Sequence, residues 1–352
     1  MHSNETYAIG LMSGTSLDGL DLVYVKFTYG DSYQFEIRSQ ETIKYSNEWR
    51  DKLKHGIHLD DENLEVIDGE YGAYLAVQVN DFIRKNNIQK VDFIASHGHT
   101  IFHQPDLGIT KQIGNGQNLA DITGQKVICD FRTQDVQYGG QGAPLVPIGD
   151  RLLFADFDAC VNLGGFANIS FEKENQRIAY DICPVNVVLN HFSQKLGFEY
   201  DPEGVLSSKG TLLQEVLGEL NQLKYYSEIP PKSLGIEWVN ELVFSIISKV
   251  ENIHDALRTY SEHITVQIAN NIEACQNVLF TGGGVFNSFL MNRIENLTSA
   301  QIVIPDKTII DYKEALIFAF LGLLKLENRV NCLSSVTGAK RDHSSGKIFT
   351  PN

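Results

Sequence analysis

The sequence lacks any apolar run long enough to cross a lipid bilayer. Its longest such run, Ala315 to Leu324, falls well short of the roughly 20 residues that a membrane helix needs. The first ten residues, MHSNETYAIG, also lack the basic start and the continuous apolar segment of a secretory signal. These absences predict a soluble, unexported protein of the cytoplasm without a membrane partner.

Basic residues are fewer than acidic ones. Lysine and arginine number 29 against 44 aspartates and glutamates, which leaves a net charge of -15. An acidic surface gains no counterion-release energy from a nucleic-acid backbone and is repelled by anionic headgroups. We therefore expect no nucleic-acid partner, although local basic pockets can still bind small anions.

Cysteine is scarce as well. The five cysteines form an odd set without close pairs, so their spacing indicates neither a disulfide framework nor a zinc motif. Low-complexity tracts and solenoid repeats are also missing. With 43% hydrophobic residues over 352 positions, the whole chain is expected to fold, as two domains with separate cores.

What is present is an alternation of strand and helix patterns. An apolar run at Tyr7 to Leu11 enters the turn SGTSLDG and emerges as the alternating LDLVYVKF, and a similar strand-turn-strand unit starts at Ala159. Helical spacing over Asp61 to Asn86 follows the first unit. The repetition predicts a duplicated α/β architecture with functional residues at strand ends.

The glycine- and proline-rich segment VQYGGQGAPLVP opposes a long helix or a central strand. We place the crossing between domains there, with one domain of residues 1–135 plus 335–352 and another of residues 136–334. Further helices are predicted at Val187 to Lys195, Leu212 to Leu223, Val239 to Val250, Ile253 to Ala274 and Lys313 to Leu326.

Three glycine turns at strand ends are candidate phosphate or nucleotide contacts. SGTSLDGLD offers small residues, hydroxyls and amides to phosphate, and Asp18 or Asp21 to magnesium through water. It is not a Walker loop, and a plain hairpin turn is the alternative. LGGFAN contributes Gly164, Gly165 and Asn168, and TGGGVFN contributes Gly282, Gly283, Gly284 and Asn287. The triple glycine suits close packing against adenine or ribose, and a tight turn before a helix is the alternative.

Ionisable residues at strand ends are the candidates for chemistry. Asp181 ends the apolar strand RIAY, where it can act as a general base or merely cap the next helix. Arg132 follows another strand and can bind a carboxylate or a phosphoryl group, or pair with Asp130 or Asp135. Glu314 begins an apolar helix, a place where an acidic residue also favours the helix dipole.

The segment SHGHTIFHQP holds three histidines, His97, His99 and His103. On one strand, His97 and His99 would share a face and could bind a metal. Because no nearby cysteine or glutamate completes a ligand set, substrate-facing or structural histidines are the favoured interpretation.

In their order, these segments resemble the anhydro-N-acetylmuramic acid kinase family, within the actin/hexokinase/Hsp70-like sugar kinases. The matching motifs are IGLMSGTSLDGLD, HGHT, GQNLA, DFRTQD, GGQGAPLVP, NLGGFANIS, PPKSLGIE, TGGGVFN, Glu314 with Ala315, and SVTGA. The resemblance implies two ribonuclease-H-like domains, ATP and Mg2+ as cofactors, and an active site in the interdomain cleft. It also implies that water opens 1,6-anhydro-N-acetylmuramic acid while the bridging oxygen takes the γ-phosphoryl group, in peptidoglycan recycling.

The resemblance assigns roles by position. The phosphate loop is Gly14, Thr15, Ser16, Leu17, Asp18, Gly19, Leu20 and Asp21, and Asp181 is the base that deprotonates water. Arg132 is catalytic and also contacts the sugar, together with His97, Thr100, Pro184, Asn186 and Glu314. The implied partners are an amino sugar and ATP, with a homodimer left open.

The chain departs from the family pattern beside the expected base. Where the family reads Asp-Thr-Gly-Pro-Gly-Asn, this sequence reads Asp181, Ile182, Cys183, Pro184, Val185 and Asn186, and His99 replaces a glutamine. The loss of a hydroxyl and two glycines keeps two alternatives open: a sugar-binding sensor with weakened catalysis, and a kinase for another hexose or anhydro sugar.

Overall fold

The computed structural model describes residues 4–14, 17 and 19–352. The chain divides into two compact units, one of Met1–Leu153 with Tyr312–Asn352 and one of Phe154–Asp311. The sequence pattern predicts these crossings at 135/136 and 334/335. The glycine-rich segment instead turns back within the first unit, where the amides of Gly140 and Gly142 donate to the Asp135 carbonyl and carboxylate.

The first unit is built on a six-stranded sheet of order β13-β7-β4-β1-β2-β3. β1, β2 and β3 pair antiparallel, whereas β1, β4 and β7 pair parallel. A separate hairpin is formed by β5 and β6. The strands are β1 (Asn4–Ser13), β2 (Leu20–Tyr29), β3 (Tyr33–Ile43), β4 (Phe93–Ser96), β5 (His99–Gln104), β6 (Ile109–Ile113), β7 (Val127–Cys129) and, after the second unit, β13 (Lys347–Phe349).

Helices of the first unit cover this sheet. The longest, α2, begins where the Asp60 carboxylate accepts a hydrogen bond from the Asn63 amide, as an N-cap should. Its stripe of Leu64, Ile67, Tyr71, Leu75, Val79 and Phe82 is buried in the apolar core, which confirms the predicted helical spacing. The helices are α1 (Asn47–His55), α2 (Asp61–Lys85), α3 (Gly116–Thr123), α4 (Thr133–Gln137) and α5 (Pro147–Leu153).

The second unit repeats the strand arrangement. Its five-stranded sheet has the order β10-β9-β8-β11-β12, with β8, β9 and β10 antiparallel and β8, β11 and β12 parallel. Five strands of each sheet thus run in the order 3-2-1-4-5 with the same strand directions, the ribonuclease-H-like topology, and β13 adds a sixth strand to the first sheet. The duplicated fold is confirmed. The strands are β8 (Ala159–Leu163), β9 (Phe166–Lys173), β10 (Gln176–Pro184), β11 (Asn277–Thr281) and β12 (Gln301–Val303).

The helices of the second unit are α6 (Asn186–Lys195), α7 (Val205–Ser208), α8 (Gln214–Asn221), α9 (Ile236–Trp238), α10 (Phe244–Ile247), α11 (Ile253–Ile272) and α12 (Ser288–Leu297). Of these, α6, α8, α10 and α11 lie within or close to predicted helices, whereas the short α7 and α9 were not predicted. The chain then continues through α13 (Lys307–Leu326) to α14 (Ser334–Thr337) in the first unit. A π-helical turn, Val239–Val243, joins α9 to α10. None of the helices in the described part of the chain is long and apolar enough to cross a membrane.

Two predicted element ends were wrong. α13 begins at Lys307 rather than Lys313, because the Asp306 carboxylate accepts a hydrogen bond from the Ile309 amide and caps the helix earlier. Glu314 therefore lies inside the helix and not at its start. β10 continues past Asp181 to Pro184 through a bulge, since pairing with β9 persists beyond the apolar run.

Gly10 in β1 is required by the close approach of α13. A Cβ atom there would lie 2.1 Å from the carbonyl oxygen of Ala315, so Gly10→Ala must displace a helix backbone. We expect a loss of about 3 kcal/mol in the free energy of unfolding, measured by denaturant titration. Gly30→Ala is the control, since no atom lies within 4 Å of its added Cβ. Equal stability of the two variants would contradict this close packing of α13 on β1.

His263 should make the second unit sensitive to acid. It is fully buried on α11, between the Asn221 side chain at 2.6 Å and the Tyr226 hydroxyl at 2.9 Å, and burial lowers its pKa to about 3. Because the unfolded chain binds a proton near pH 6.5, stability is complete above that pH and is lost as the pH falls toward 3. At pH 5 the loss should be about 2 kcal/mol.

The comparison variant for this prediction is His263→Gln. Denaturant unfolding at pH 7.5 and pH 5 should show a smaller loss for the variant than for the original chain. An identical loss in both proteins would assign the acid sensitivity to other groups.

Candidate functional site

The turn between β1 and β2 is the first candidate phosphate contact. Of its residues, Thr15, Ser16 and Asp18 lie outside the described residues. A Cβ at Gly19 would lie 2.7 Å from the Ile43 carbonyl oxygen, so this position needs glycine. Leu20 pairs with Ser13 across the hairpin. The Asp21 carboxylate accepts a 2.6 Å hydrogen bond from the Thr42 hydroxyl, which holds it beside the turn.

A buried hydrogen-bond network lies under this turn, and no sequence motif predicts it. The Ser13 hydroxyl is 2.9 Å from His99 Nδ1 and accepts from the Tyr45 hydroxyl at 2.7 Å. Tyr45 is in turn 2.6 Å from the Tyr71 hydroxyl. Burial lowers the pKa of His99 to about 4, so the ring is neutral near pH 7 and supports the end of β1.

His97 and Arg132 form a second pair in the first unit. Arg132 Nε donates to His97 Nε2 at 3.0 Å, and its guanidinium also donates to the Gly142 carbonyl at 2.7 Å. His97 Nδ1 lies 2.9 Å from the Gly98 carbonyl. Burial, and then the Arg132 charge, lower the pKa of His97 well below its usual value. The neutral ring therefore accepts from Arg132 and orients the guanidinium.

The histidine segment is not a single strand. β4 ends at Ser96, Gly98 has a φ of +73°, and β5 starts at His99. The single strand that a shared face of His97 and His99 would need is therefore absent, because Gly98 interrupts it in a conformation that favours glycine. Thr100 on β5 accepts from the Gln112 side chain at 3.4 Å, and His103 is exposed beside the Thr110 hydroxyl.

Glu314 supplies an acidic group near Arg132. Its side chain has access to solvent, but partial withdrawal from water raises the pKa of its carboxyl, while Arg132 and Lys313 oppose that rise. Lys313 makes a buried 2.7 Å ion pair with Asp150. Sequence reasoning missed this pair, because the two residues are far apart along the chain and meet only in the fold.

In the second unit, Asp181 is half-buried on β10, opposite Asn168 of β9. One carboxylate oxygen accepts a 2.9 Å hydrogen bond from the Leu234 amide, and the Asp181 carbonyl accepts from the Tyr225 hydroxyl at 2.6 Å. Burial raises the pKa of the carboxyl, and the Leu234 bond lowers it less. Asp181 does not cap α6, which starts after Val185.

The altered residues that follow Asp181 lie in the core of the second unit. Cys183 and Val185 are fully buried among its apolar side chains. Pro184 ends β10. The Asn186 side chain donates to the carbonyls of Leu163 and Gly164, at 3.4 and 2.8 Å, and thereby ties α6 to the second glycine turn.

The second and third glycine turns are neighbours, since β8 and β11 pair in parallel. Gly282 has a φ of +84°, and a Cβ there would lie 2.8 Å from the Leu163 carbonyl oxygen. Gly165 is exposed on the facing turn. Asn287 caps α12 by accepting from the Leu290 amide at 2.9 Å. The two turns therefore form one glycine-rich surface.

A cavity of about 780 Å3 opens beside this surface. Its lining includes five residues that were selected from the sequence or stand in one of its motifs: Gly283, Gly284, Phe286, Asn287 and Asn186. Apolar walls with a few polar groups are typical of small-molecule sites of this size. Sequence reasoning missed the remaining lining, because those residues converge only in the fold: Leu189, Asn190, Tyr200, Asp201, Pro202, Glu203, Ser288 and Lys307.

Comparison with known proteins identifies relatives of the whole chain. The family model described as anhydro-N-acetylmuramic acid kinase matches residues 6–351. The anhydro-N-acetylmuramic acid kinase of Haemophilus influenzae is 33% identical, over 97% of this chain and 97% of its own. That of Clostridioides difficile is 32% identical, over 97% and 98%.

A comparison of structures gives weaker similarities. The activator of the 2-hydroxyisocaproyl-CoA dehydratase from Clostridium difficile, with bound ADPNP, has a TM-score of 0.42 and 13% identity, with 92% of this chain and 97% of that chain covered.

The full-length match to the family model and to the curated relatives decides the assignment. The chain belongs to the anhydro-N-acetylmuramic acid kinase family and is a kinase, as its resemblance implied.

Proposed function

We propose that this kinase uses ATP to open 1,6-anhydro-N-acetylmuramic acid with water and to phosphorylate it, giving N-acetylmuramic acid 6-phosphate for peptidoglycan recycling. The observation that supports this proposal is the environment of the Asp181 carboxylate. A half-buried carboxylate, with a raised pKa and one oxygen held by a backbone amide, has the properties of a general base.

The reaction balances with Asp181 as that base. Its carboxylate takes a proton from water, and the water oxygen bonds to the anomeric carbon as the bridging C–O bond breaks. The released oxygen bonds to the γ-phosphorus, and ADP leaves. A carboxylate whose pKa is raised by burial accepts the proton more readily than an exposed one.

Residues of the first unit are proposed to orient the sugar and the phosphoryl group. Arg132 is a suitable donor for developing negative charge, and the bonds from Arg132 to His97 and Gly142 fix its orientation. Glu314, His97 and Thr100, together with Pro184 and Asn186 of the second unit, are the further proposed sugar contacts.

The glycine turns are proposed to bind the nucleotide. Backbone amides in the turn from Gly14 to Asp21 suit the phosphates, while the cavity beside Gly283 and Asn287 suits the nucleoside. The half-buried Asp21 carboxylate, held by Thr42, fits the preference of Mg2+ for oxygen ligands. Bound magnesium would neutralise phosphate charge during transfer.

The test is product analysis. The purified chain is incubated with ATP, Mg2+ and the anhydro sugar, ADP release is followed by a coupled assay, and the sugar product is identified by mass spectrometry. We expect equal amounts of ADP and N-acetylmuramic acid 6-phosphate. Tight sugar binding by calorimetry without phosphorylated product would favour the sensor. Turnover of a different sugar in a substrate panel would show that the substrate is that sugar and not the anhydro sugar. The cytoplasmic location and the homodimer stay predictions.

A further inference from the structure

A second cluster of reactive side chains lies in the first unit, outside the residues assigned to the reaction. Asp135, Cys332 and His343 are all buried, and one ligand-type atom from each lies within 4.8 Å of the other two. Asp135 belongs to α4, whereas Cys332 and His343 face each other in an antiparallel bridge of the C-terminal segment. The fold thus gathers a carboxylate, a thiol and an imidazole that sequence spacing did not connect.

Hydrogen bonding fixes the tautomer of neutral His343. Nδ1 lies 3.1 Å from the carbonyl oxygen of Arg341, and because a carbonyl only accepts, Nδ1 carries the hydrogen. Nε2 then presents a lone pair. It is buried and has no hydrogen-bond partner among the described residues. The Asp135 carboxylate, another acceptor, lies 3.6 Å away, so two electron-rich atoms face each other.

Asp135 itself is a buried anion without a lysine or arginine ion pair in the described part of the chain; its ion-pair contact is His343. One oxygen accepts from the Thr337 hydroxyl at 2.7 Å and from the Cys332 thiol at 3.0 Å, and the other accepts from the Gly142 amide at 2.7 Å. Hydrogen bonds offset part of the cost of burying the charge, but a cation would offset it more fully.

We propose that Asp135, Cys332 and His343 bind a divalent transition metal, best matched by zinc. Thiolate, imidazole and carboxylate are the zinc ligands of proteins, and bond lengths of about 2.0–2.3 Å place tetrahedral ligand atoms about 3.3–3.8 Å apart. The separations here are of that order. The Arg341 carbonyl on Nδ1 is the outer contact that usually orients a metal-binding histidine.

Binding follows a simple balance. The Cys332 thiol loses its proton to solvent as the sulfur–metal bond forms, and the thiolate and carboxylate together neutralise the metal charge. Coordination bonds to the metal then cross-link two protein segments, α4 and the chain from Cys332 to His343.

The role inferred for the metal is structural. The Gly142 amide donates to Asp135, and the Gly142 carbonyl accepts from Arg132. A metal at Asp135 would therefore fasten the C-terminal segment to the loop that holds the Arg132 guanidinium. Loss of the metal should lower the thermal stability of the first unit. Its effect on catalytic turnover should be smaller.

The test is zinc binding by the full chain after chelator treatment and dialysis. We expect saturable binding of one Zn2+ by equilibrium dialysis with elemental analysis, and a thiolate-to-cobalt charge-transfer band when Co2+ is used instead. Cys332→Ser and His343→Gln should each weaken Zn2+ binding at least about tenfold, and Cys332→Ser should abolish the band. Circular dichroism establishes that each variant is folded.

Matched controls are Cys275→Ser, at a partly exposed cysteine, and His58→Gln, at an exposed histidine. Both should bind Zn2+ like the original chain. The proposal is overturned if the folded original chain binds no Zn2+, if its Co2+ form lacks the thiolate band, or if the band persists in Cys332→Ser. Those results would leave Asp135, Cys332 and His343 as a hydrogen-bonded cluster that packs the first unit without a metal.

Discussion

Asp181→Asn should lower kcat by about 10²- to 10⁴-fold, the usual contribution of a general base. Asparagine keeps an oxygen that can accept from the Leu234 amide, and the bond from Tyr225 goes to the backbone carbonyl, so the fold should survive. The amide cannot take a proton from water. Steady-state kinetics with the anhydro sugar and ATP measure the effect.

The matched control is Asp158→Asn. Asp158 is an exposed aspartate of the same unit whose carboxylate also accepts from backbone amides, those of Gln276 and Asn277. It should retain full turnover. Retention of activity by folded Asp181→Asn would remove Asp181 from the mechanism.

The pH profile supplies a second readout for Asp181. Because burial raises the pKa of its carboxyl, and the base acts ionised, kcat/KM should fall on the acid side above the ordinary aspartate pKa of about 3.9. In Asp181→Asn the residual activity should lose this acid limb. An unchanged limb in the variant would assign it to another group.

Gly283→Leu should raise the KM for ATP by about 10- to 100-fold with a much smaller change in kcat, because a side chain there would occupy space proposed for the nucleoside. Gly283 lines the cavity, is exposed, and has no atom within 4 Å of an added Cβ. The substitution should therefore fill the cavity without displacing the protein. Kinetics over a range of ATP concentrations separate the two parameters.

Gly218→Leu is the control for this substitution. An added Cβ at Gly218 in α8 also meets no atom within 4 Å, but Gly218 does not line the cavity. Its KM for ATP should stay unchanged. A normal KM in Gly283→Leu would place the nucleotide elsewhere.

Local pattern was enough for much of the fold. The alternation in LDLVYVKF predicts β2, and the apolar stripe from Leu64 to Phe82 predicts α2, because one face of each element packs on a core. Element ends were less predictable. Asp306 extends α13 and the pairing of β9 extends β10, and both effects depend on single hydrogen bonds or on a partner strand.

The candidate site was predicted unevenly for the same reason. Asp181, Arg132 and the glycine turns stand in recognisable motifs at or near strand ends. By contrast, Ser13, Tyr45 and His99 meet through contacts between distant segments, and the cavity lining draws on α6, α12 and the start of α13 together with the connecting segments. No local sequence pattern predicts contacts of this kind between distant residues.

The sequence by itself determined the duplicated strand-turn-strand plan, the placement of glycines where backbones approach closely, and the family, because these reside in periodicity and in ordered motifs. Only the tertiary structure decided that Cys183 and Val185 point into a core and that Asp135, Cys332 and His343 meet. The physical reason is that burial and long-range contact are properties of packed segments, set by how sheets and helices stack rather than by neighbours along the chain.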